Sequence, residues 1–406
     1  MQISTYTALI LLSSLIIFSY LFDLLAKRTK VPSVLLLLAL GIGLHYLTDY
    51  LKVELLNFAK ILPALGTIGL VLIVLEGALE LRFQKEKLRL IRTSFASALF
   101  ILLLTVGAIT FVFDQFTDKS LYICLLNAIP FGIISSAIAI PSVANLHVDK
   151  REFVIYESSF SDILGIIFFN FVLTNVTITG DSFVLLAVEA FGSPLIAFAI
   201  SLAVLWLLKR LKHHVKFFLI IALLLLIYAI AKQFHLSALV IVLIFGLMLN
   251  NAPLFLSKRY RQMFVYDGLR EDLHQFHLLT AESAFILRTF FFLIFGFTIY
   301  VEGLFNLEVL GYGFVILLII YGIRALYLKF VARTALVPEL YITPRGLISI
   351  LLFLSIPSDN WVIPNADNLL LLVILATSAL MAVGLLRVKP DKYDDAQETR
   401  DDVSSV

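Results

Sequence analysis

The sequence predicts an all-α polytopic membrane protein of about 13 transmembrane helices in two inverted repeats. Helices 5 and 12 are expected to be broken, with the N-terminus outside and the C-terminus inside. Three observations predict this. The 406 residues are 61% apolar and only 15% charged, with a mean hydropathy of +1.00, against roughly 25% charged in an ordinary soluble protein. Apolar runs near the 20 or so residues that a span needs recur along almost the whole chain. Lys and Arg fall on alternate connections, the bias that sets orientation. A soluble enzyme with ordinary cores is thereby excluded. With 31 Lys and Arg against 29 Asp and Glu, and no basic cluster interleaved with aromatics, nucleic acid is not an expected partner. The single cysteine, Cys124, gives neither a disulfide framework nor a thiolate metal site. No cofactor is expected.

In chain order the spans are 5–26, 32–49, 60–81, 93–114, 120–146, 153–176, 183–208, 215–232, 235–250, 279–301, 308–334, 342–357 and 364–388. Met1 to Ala26 lacks a basic leader and a small-residue cleavage site, so it is taken as a retained first span. Setting the N-terminus outside leaves only Lys52, Lys60, Lys119 and Lys232 on the outer side, with Arg288, Arg324 and Arg345 in or beside spans, of the 31 basic residues. Thirteen spans divide into six, a linker helix and six, so span 8 runs opposite to span 1, a transporter plan. The loop 251–278 is polar and basic and is expected to be helical along the membrane surface. Residues 1–388 form the membrane domain, and 389–406, without an apolar face, form a disordered cytoplasmic tail.

A charge at the bilayer centre costs about 2.5–3.5 kcal/mol even on the lenient insertion scale. The residues that need a reason are Glu76, Glu80, Glu157, Asp162, Glu189, Glu282, Arg288, Arg324 and Arg345. Glu80, near a span end, reads as a snorkelling side chain. Glu76 either lines an approach to a site or packs on a polar neighbour. Span 6 is densest, with Tyr156-Glu157-Ser158-Ser159-Phe160-Ser161-Asp162. On a helix Ser158 and Asp162 share a face, as do Glu157 and Ser161, whereas the two carboxylates diverge by about 140°. One can be neutralised by an arginine while the other, flanked by hydroxyls, binds and releases a cation. Carboxylate and hydroxyl oxygens suit a hard cation. The plainer alternative is a Glu/Asp pair held only by intramembrane arginines.

Span 5 places Pro130, Gly132, Ser135, Ser136, Pro141 and Ser142 in one apolar run, and each proline removes a helix hydrogen bond. A broken helix at membrane depth is tolerable only beside protein or a water-filled cavity. Span 12 matches it, with Thr343-Pro344-Arg345-Gly346 opening a short run that stops at Pro357. Interrupted segments at corresponding places in two halves point to a binding site between them. His274 and His277 are candidate pH sensors, while His45, His147 and His235 form no ligand pattern. Gly41-Ile42-Gly43 permits close helix packing.

At these residues the sequence resembles the cation:proton antiporter superfamily, in its branch of sodium/proton antiporters and exchangers. Glu157-Ser158-Ser159-Phe160-Ser161-Asp162 matches the family's Glu-Ser-x-x-Asn-Asp except at Ser161, and places Asp162 on its cation- and proton-carrying aspartate. Ala139-Ile140-Pro141 keeps only the proline of the Thr-Asp-Pro at the unwound crossing. Arg324 resembles the span 11 arginine that pairs with the span 6 glutamate, here Glu157. Arg345-Gly346 resembles the Gly-x-Arg-Gly of span 12, Arg288 to Gly296 resembles span 10, and Glu76-Gly77-Ala78-Leu79 resembles the Glu-Gly-Gly-Leu of span 3.

The resemblance implies a secondary transporter in the cell membrane, a homodimer, with a core bundle at approximately 93–176 and 308–388 and a scaffold at approximately 1–92 and 183–302. It implies a cation- and proton-binding set of Asp162, Ser158, Ser161 and Ala139, a structural pair of Glu157 and Arg324, helix-break support from Pro141, Arg345 and Gly346, and Glu76 on a pathway. On that basis Asp162 takes either one monovalent cation (Na⁺, with K⁺ and Li⁺ as alternatives) or one proton. With Glu157 neutralised by Arg324, exchange is electroneutral. The rivals are a cation channel, an antiporter homologue acting as a cation or pH sensor (suggested by the missing acid at Ile140), and an intramembrane serine hydrolase, which lacks a histidine base near span 6.

Overall fold

The computed structural model describes Ile10, most of 13–25, and residues 32–51, 62–81, 83, 86–143, 146–175, 180–210, 216–233, 238–255, 268–298, 301–333, 336–357 and 361–387. At 51, 62–65, 180–191, 193–194, 253 and 255 it describes backbone alone. Every regular element among the described residues is helical. They are α1 (Ser33–Leu51), α2 (Leu62–Glu80), α3 (Leu88–Phe116), α4 (Leu121–Gly132), α5 (Ser136–Ser142), α6 (Val148–Thr174), α7 (Gly180–Arg210), α8 (Phe217–Gln233), α9 (Ala238–Asn250), α10 (Leu269–Thr298), α11 (Leu307–Leu326), α12 (Leu347–Leu354) and α13 (Ala366–Leu386). A one-turn helix at Ala252–Phe255, a 3₁₀ turn at Val301–Phe305 and a π turn at Tyr327–Ala332 complete the set. The described residues of the first span are also helical, and Ser19 Oγ lies 2.6 Å from Thr289 Oγ1 on α10. The protein is thus the all-α polytopic membrane protein that the composition predicts.

Six segments among the described residues are long and apolar enough to cross a membrane unaided: Ser33–Tyr50, Leu88–Phe116, Leu121–Ser142, Leu269–Thr298, Leu307–Ala332 and Ala366–Leu386. Phe217–Gln233 and Ala238–Asn250 are apolar but shorter. Large apolar side chains point outward in stripes at helical spacing, as Phe100, Leu104 and Phe111 do on α3. Such stripes suit lipid.

Expectation and structure part at two places. Residues 269–278 are not a surface helix; they are the first turns of α10, which begins ten residues before the expected span. Leu269, Phe276 and Thr280 bury one face of those turns, and Glu271 and Asp272 suit the positive helix N-terminus. The rest of that loop, 256–267, lies outside the described residues, as does the expected tail at 389–406. The second difference is that neither proline of span 5 marks its break. Span 12 is interrupted where Thr343-Pro344-Arg345-Gly346 predicts: residues 342–346 form no helix and Leu347–Leu354 is helical.

Packing divides the helices by neighbour. α10 lies on α1 and α2, α2 also on α9, and α9 also on α7 and α8. Separately, α3 packs on α4, α6 and α11, α6 on α4 and α5, and α11 on α13. The two groups meet where α6 touches α9 and α2, and where α12 touches α2. Gly41 allows α1 to approach the backbone of α10: a β-carbon there would collide with Leu293 and Phe297, and one on Gly296 would collide with Leu38. The Gly41 contact is therefore internal to one chain, while Gly43 faces open space.

Candidate functional site

The interruption of span 5 falls at Ile133-Ile134-Ser135, between α4 and α5. Pro130 lies inside α4 and Pro141 inside α5. The break forms where outside partners take over the backbone groups that a helix would pair. Ile134 N donates to Ser161 Oγ at 2.9 Å, Ser135 N to Pro344 O at 2.9 Å, and Ser136 N to Asp162 Oδ2 at 3.1 Å. Irregular backbone at this depth requires such partners. The Pro344 bond also brings the interruption of span 12 directly against that of span 5.

Arg345 satisfies the carbonyl side of the same break. Its Nε donates to Phe131 O at 2.7 Å, and its Nη1 to Thr343 O at 2.8 Å and to Thr343 Oγ1, while its own N–H donates to Thr377 Oγ1 on α13 at 3.1 Å. The side chain is fully buried, and no described carboxylate bonds it. The guanidinium instead lies at the C-terminal end of α4, where the half-helix carbonyls carry partial negative charge. Gly346 makes the crossing possible: a β-carbon there would come within 2.5 Å of Ser135 Oγ.

The two carboxylates of α6 have different surroundings, as helical arithmetic requires. Glu157 is held on both oxygens by Arg324 of α11, Nη2 to Oε2 at 2.8 Å and Nη1 to Oε1 at 3.2 Å. Ser97 Oγ of α3 adds a bond to Oε1 at 2.5 Å, and Arg324 Nε donates to Glu339 O at 2.7 Å. Arg324 is 0% and Glu157 1% exposed, so this is a bidentate pair inside the bundle. Asp162, 6% exposed, has no cationic side chain among the described residues bonded to it. Oδ2 accepts the Ser136 amide, and Oδ1 is buried without a hydrogen-bond partner.

The remaining candidates divide between site and scaffold. Ser158 Oγ donates to Val154 O of its own helix at 2.7 Å, and Ser161 Oγ holds Ile134 N. Ala139 is buried in α5 and offers no side-chain polar atom. Sequence reasoning passed over Ser159, which lines a narrow cavity together with Asp162, Ser136, Ile73, Val74 and Leu243. Its volume is about 20 Å³, enough for one water. Ser159 lies three residues before Asp162, and that i, i+3 spacing was the available signal.

A second cavity, of about 60 Å³, shares Ile73, Gly77 and Ser136 with the first and is lined also by Glu76, Glu80, Pro141 and Arg288. Arg288 Nη2 holds Glu76 at 2.9 Å, and Nη1 donates to Ala137 O of α5 at 3.3 Å. Glu76 therefore packs on a polar neighbour and also lines this cavity. Glu80 is half-buried on the same face of α2, so its side chain is part of the cavity wall and not a snorkelling end. Asn250 and Asn251, also missed, fasten this end of α2: Asn250 Nδ2 donates to Leu79 O at 2.5 Å, Asn251 Nδ2 to Leu81 O at 2.8 Å, and Asn251 Oδ1 accepts Phe83 N at 2.7 Å.

Two interrupted helices that cross beside a buried carboxylate, within a bundle of apolar helices, are the architecture of a secondary transporter. The family model described as "Sodium/hydrogen exchanger, transmembrane" matches residues 12–387, and the chain belongs to that family of cation/proton exchangers. It is a family of transporters, not of enzymes. The structure of the sodium proton antiporter MjNhaP1 from Methanocaldococcus jannaschii at pH 8 is similar with a TM-score of 0.73 and 19% identity, over 93% of this chain and 99% of that one. A map of MjNhaP1 from electron microscopy matches with a TM-score of 0.67, also at 19% identity, over 96% of this chain and 100% of that one. At this identity the likeness establishes the fold. No curated protein matches the chain in sequence.

Proposed function

We propose that the protein exchanges one monovalent cation, Na⁺ before K⁺ or Li⁺, for one proton by alternating access at Asp162. The observation that carries this is the contrast within α6. Glu157 has both oxygens on Arg324, whereas Asp162 keeps Oδ1 free of hydrogen bonds at a cavity between the two groups of helices. A carboxylate with one open oxygen takes a proton or a cation, not both, and that competition couples the two fluxes. Exchange is electroneutral, because only one carboxylate of the pair changes state. The moving core is the group of α3–α6 and α11–α13, approximately 93–176 and 308–388. It moves against the scaffold at approximately 1–92 and 183–302. The cavity of Glu76, Glu80 and Arg288 is the cytoplasmic approach, on the N-out, C-in orientation given by the basic loops. The inverted-repeat plan, the cell membrane and a homodimer complete the reading.

The test uses proteoliposomes with a lumenal pH dye, the membrane potential clamped, and pulses of Na⁺, K⁺ or Li⁺. The wild type moves protons on a cation pulse independently of potential, the responding ion identifies the substrate, and Asp162→Asn is silent. Exchange that survives Asp162→Asn refutes the assignment. Ile140, where the resembling motif has an acid, favours a second reading as a cation sensor. Cation binding by a wild type that is silent in this assay supports that reading.

A further inference from the structure

We propose that Ser159 supplies a further protein ligand of the transported cation beside Asp162, an inference that rests on the reading of Asp162 as the exchanging carboxylate. A hard cation that leaves water needs oxygen ligands in place of those it loses. Around Asp162 the hydroxyls differ in place and partner. Ser158 Oγ donates along its own helix to Val154 O and does not line this cavity. Ser161 Oγ accepts the amide of Ile134 at 2.9 Å and is part of the helix break. Ser136 lines the cavity, but its amide and its side chain are both engaged on the Asp162 carboxylate. Ser159 differs from all three. Its Oγ is buried, 3% exposed over the residue, without a hydrogen-bond partner, and it lines the same cavity as Asp162 Oδ1, which is also without one.

Two buried, unpartnered oxygens at one cavity call for an occupant, because a buried polar atom left unsatisfied is destabilising. The walls contributed by Ile73, Val74 and Leu243 are apolar and offer no competing ligand. A volume of about 20 Å³ admits an ion the size of one water. The ligand class is therefore a small hard monovalent cation held by Asp162 Oδ1 and Ser159 Oγ. In the proton-loaded state the hydroxyl serves as hydrogen-bond partner to the carboxyl group, so one residue supports both cargoes.

The experiment measures the apparent KM for Na⁺ in the proteoliposome assay, and the Na⁺ concentration that half-stabilises the purified protein against heating. Both are measured for wild type, Ser159→Ala, Ser159→Thr and Asp162→Asn. Losing one hydroxyl ligand raises both concentrations about tenfold in Ser159→Ala, while Ser159→Thr, which keeps the hydroxyl, stays within about twofold of wild type. If Ser159→Ala fails to fold, Ser159→Cys, close in size but with a soft sulfur, carries the comparison and shows the same rise. Ser159 variants with wild-type values beside a silent Asp162→Asn overturn the Ser159 assignment alone. Retained exchange in Asp162→Asn overturns the underlying reading instead.

Discussion

Replacing Arg324 by alanine strands Glu157. In the native structure the guanidinium meets both carboxylate oxygens, at 2.8 and 3.2 Å, and its Nε reaches Glu339 O at 2.7 Å. Both side chains are almost wholly buried. After the replacement Ser97 Oγ remains on Oε1, but a hydroxyl does not neutralise a carboxylate. Breaking a buried pair from one side costs roughly 3–5 kcal/mol, at least about a hundredfold in the folded-to-unfolded ratio. Removing both charges with shape-filling apolar residues is far milder, because no uncompensated charge is left. The assay is the fraction of detergent-extracted protein that stays monodisperse after heating, read for wild type, Arg324→Ala, Glu157→Leu and the Glu157→Leu/Arg324→Leu double variant. The single variants lose most of their thermal resistance, and the double variant regains most of it. An Arg324→Ala protein with the wild-type heating profile, or a double variant whose loss is the sum of the single losses, would refute the reasoning.

Two further perturbations follow from the same geometry. Asn251→Ala removes the partner of Phe83 N and leaves Leu81 O only the 3.3 Å bond from Asn250 Nδ2, and should lower stability by about 1–3 kcal/mol for the group left unsatisfied; an unchanged melting profile would show that α2 is fastened otherwise. Gly346→Ala places a β-carbon against Ser135 and Ile138, an overpacking that costs about 1–3 kcal/mol. It should reduce both folded yield and exchange rate, and unaltered exchange would mean that the crossing has slack.

How far the sequence leads is visible on α6. The divergence of Glu157 from Asp162 follows from the helical period alone, whereas the pairing of Arg324 with Glu157, present in the structure, comes from the resemblance and not from any local pattern. The period does not choose between Ser158 and Ser159, since residues three and four before Asp162 both lie near its face. Which hydroxyl turns to its own helix and which to the cavity depends on α2 and α9, whose positions no local pattern encodes. Span 5 teaches the same point from the other side. Pro130 and Pro141 announce irregularity, yet the chain opens at Ile133-Ile134-Ser135, because Ser161, Asp162, Pro344 and Arg345 are positioned to receive those backbone groups. The early start of α10 was obscured for a simpler reason: its first turns are amphipathic, so average hydropathy assigned them to a loop.

Arg324 and Arg345 both belong to the later part of the chain, and each also reaches an acceptor in the earlier part: Glu157 precedes Arg324 by 167 positions, and Phe131 precedes Arg345 by 214. During synthesis the early spans therefore enter the bilayer with an unneutralised Glu157 and with open carbonyls at the end of α4. The arginines arrive only when most of the protein has been made. Biogenesis must keep the first half sheltered, in an insertion machinery or by transient waters, until the second half docks. Truncations that end before Arg324 should accordingly be degraded, not accumulate as a stable half-transporter.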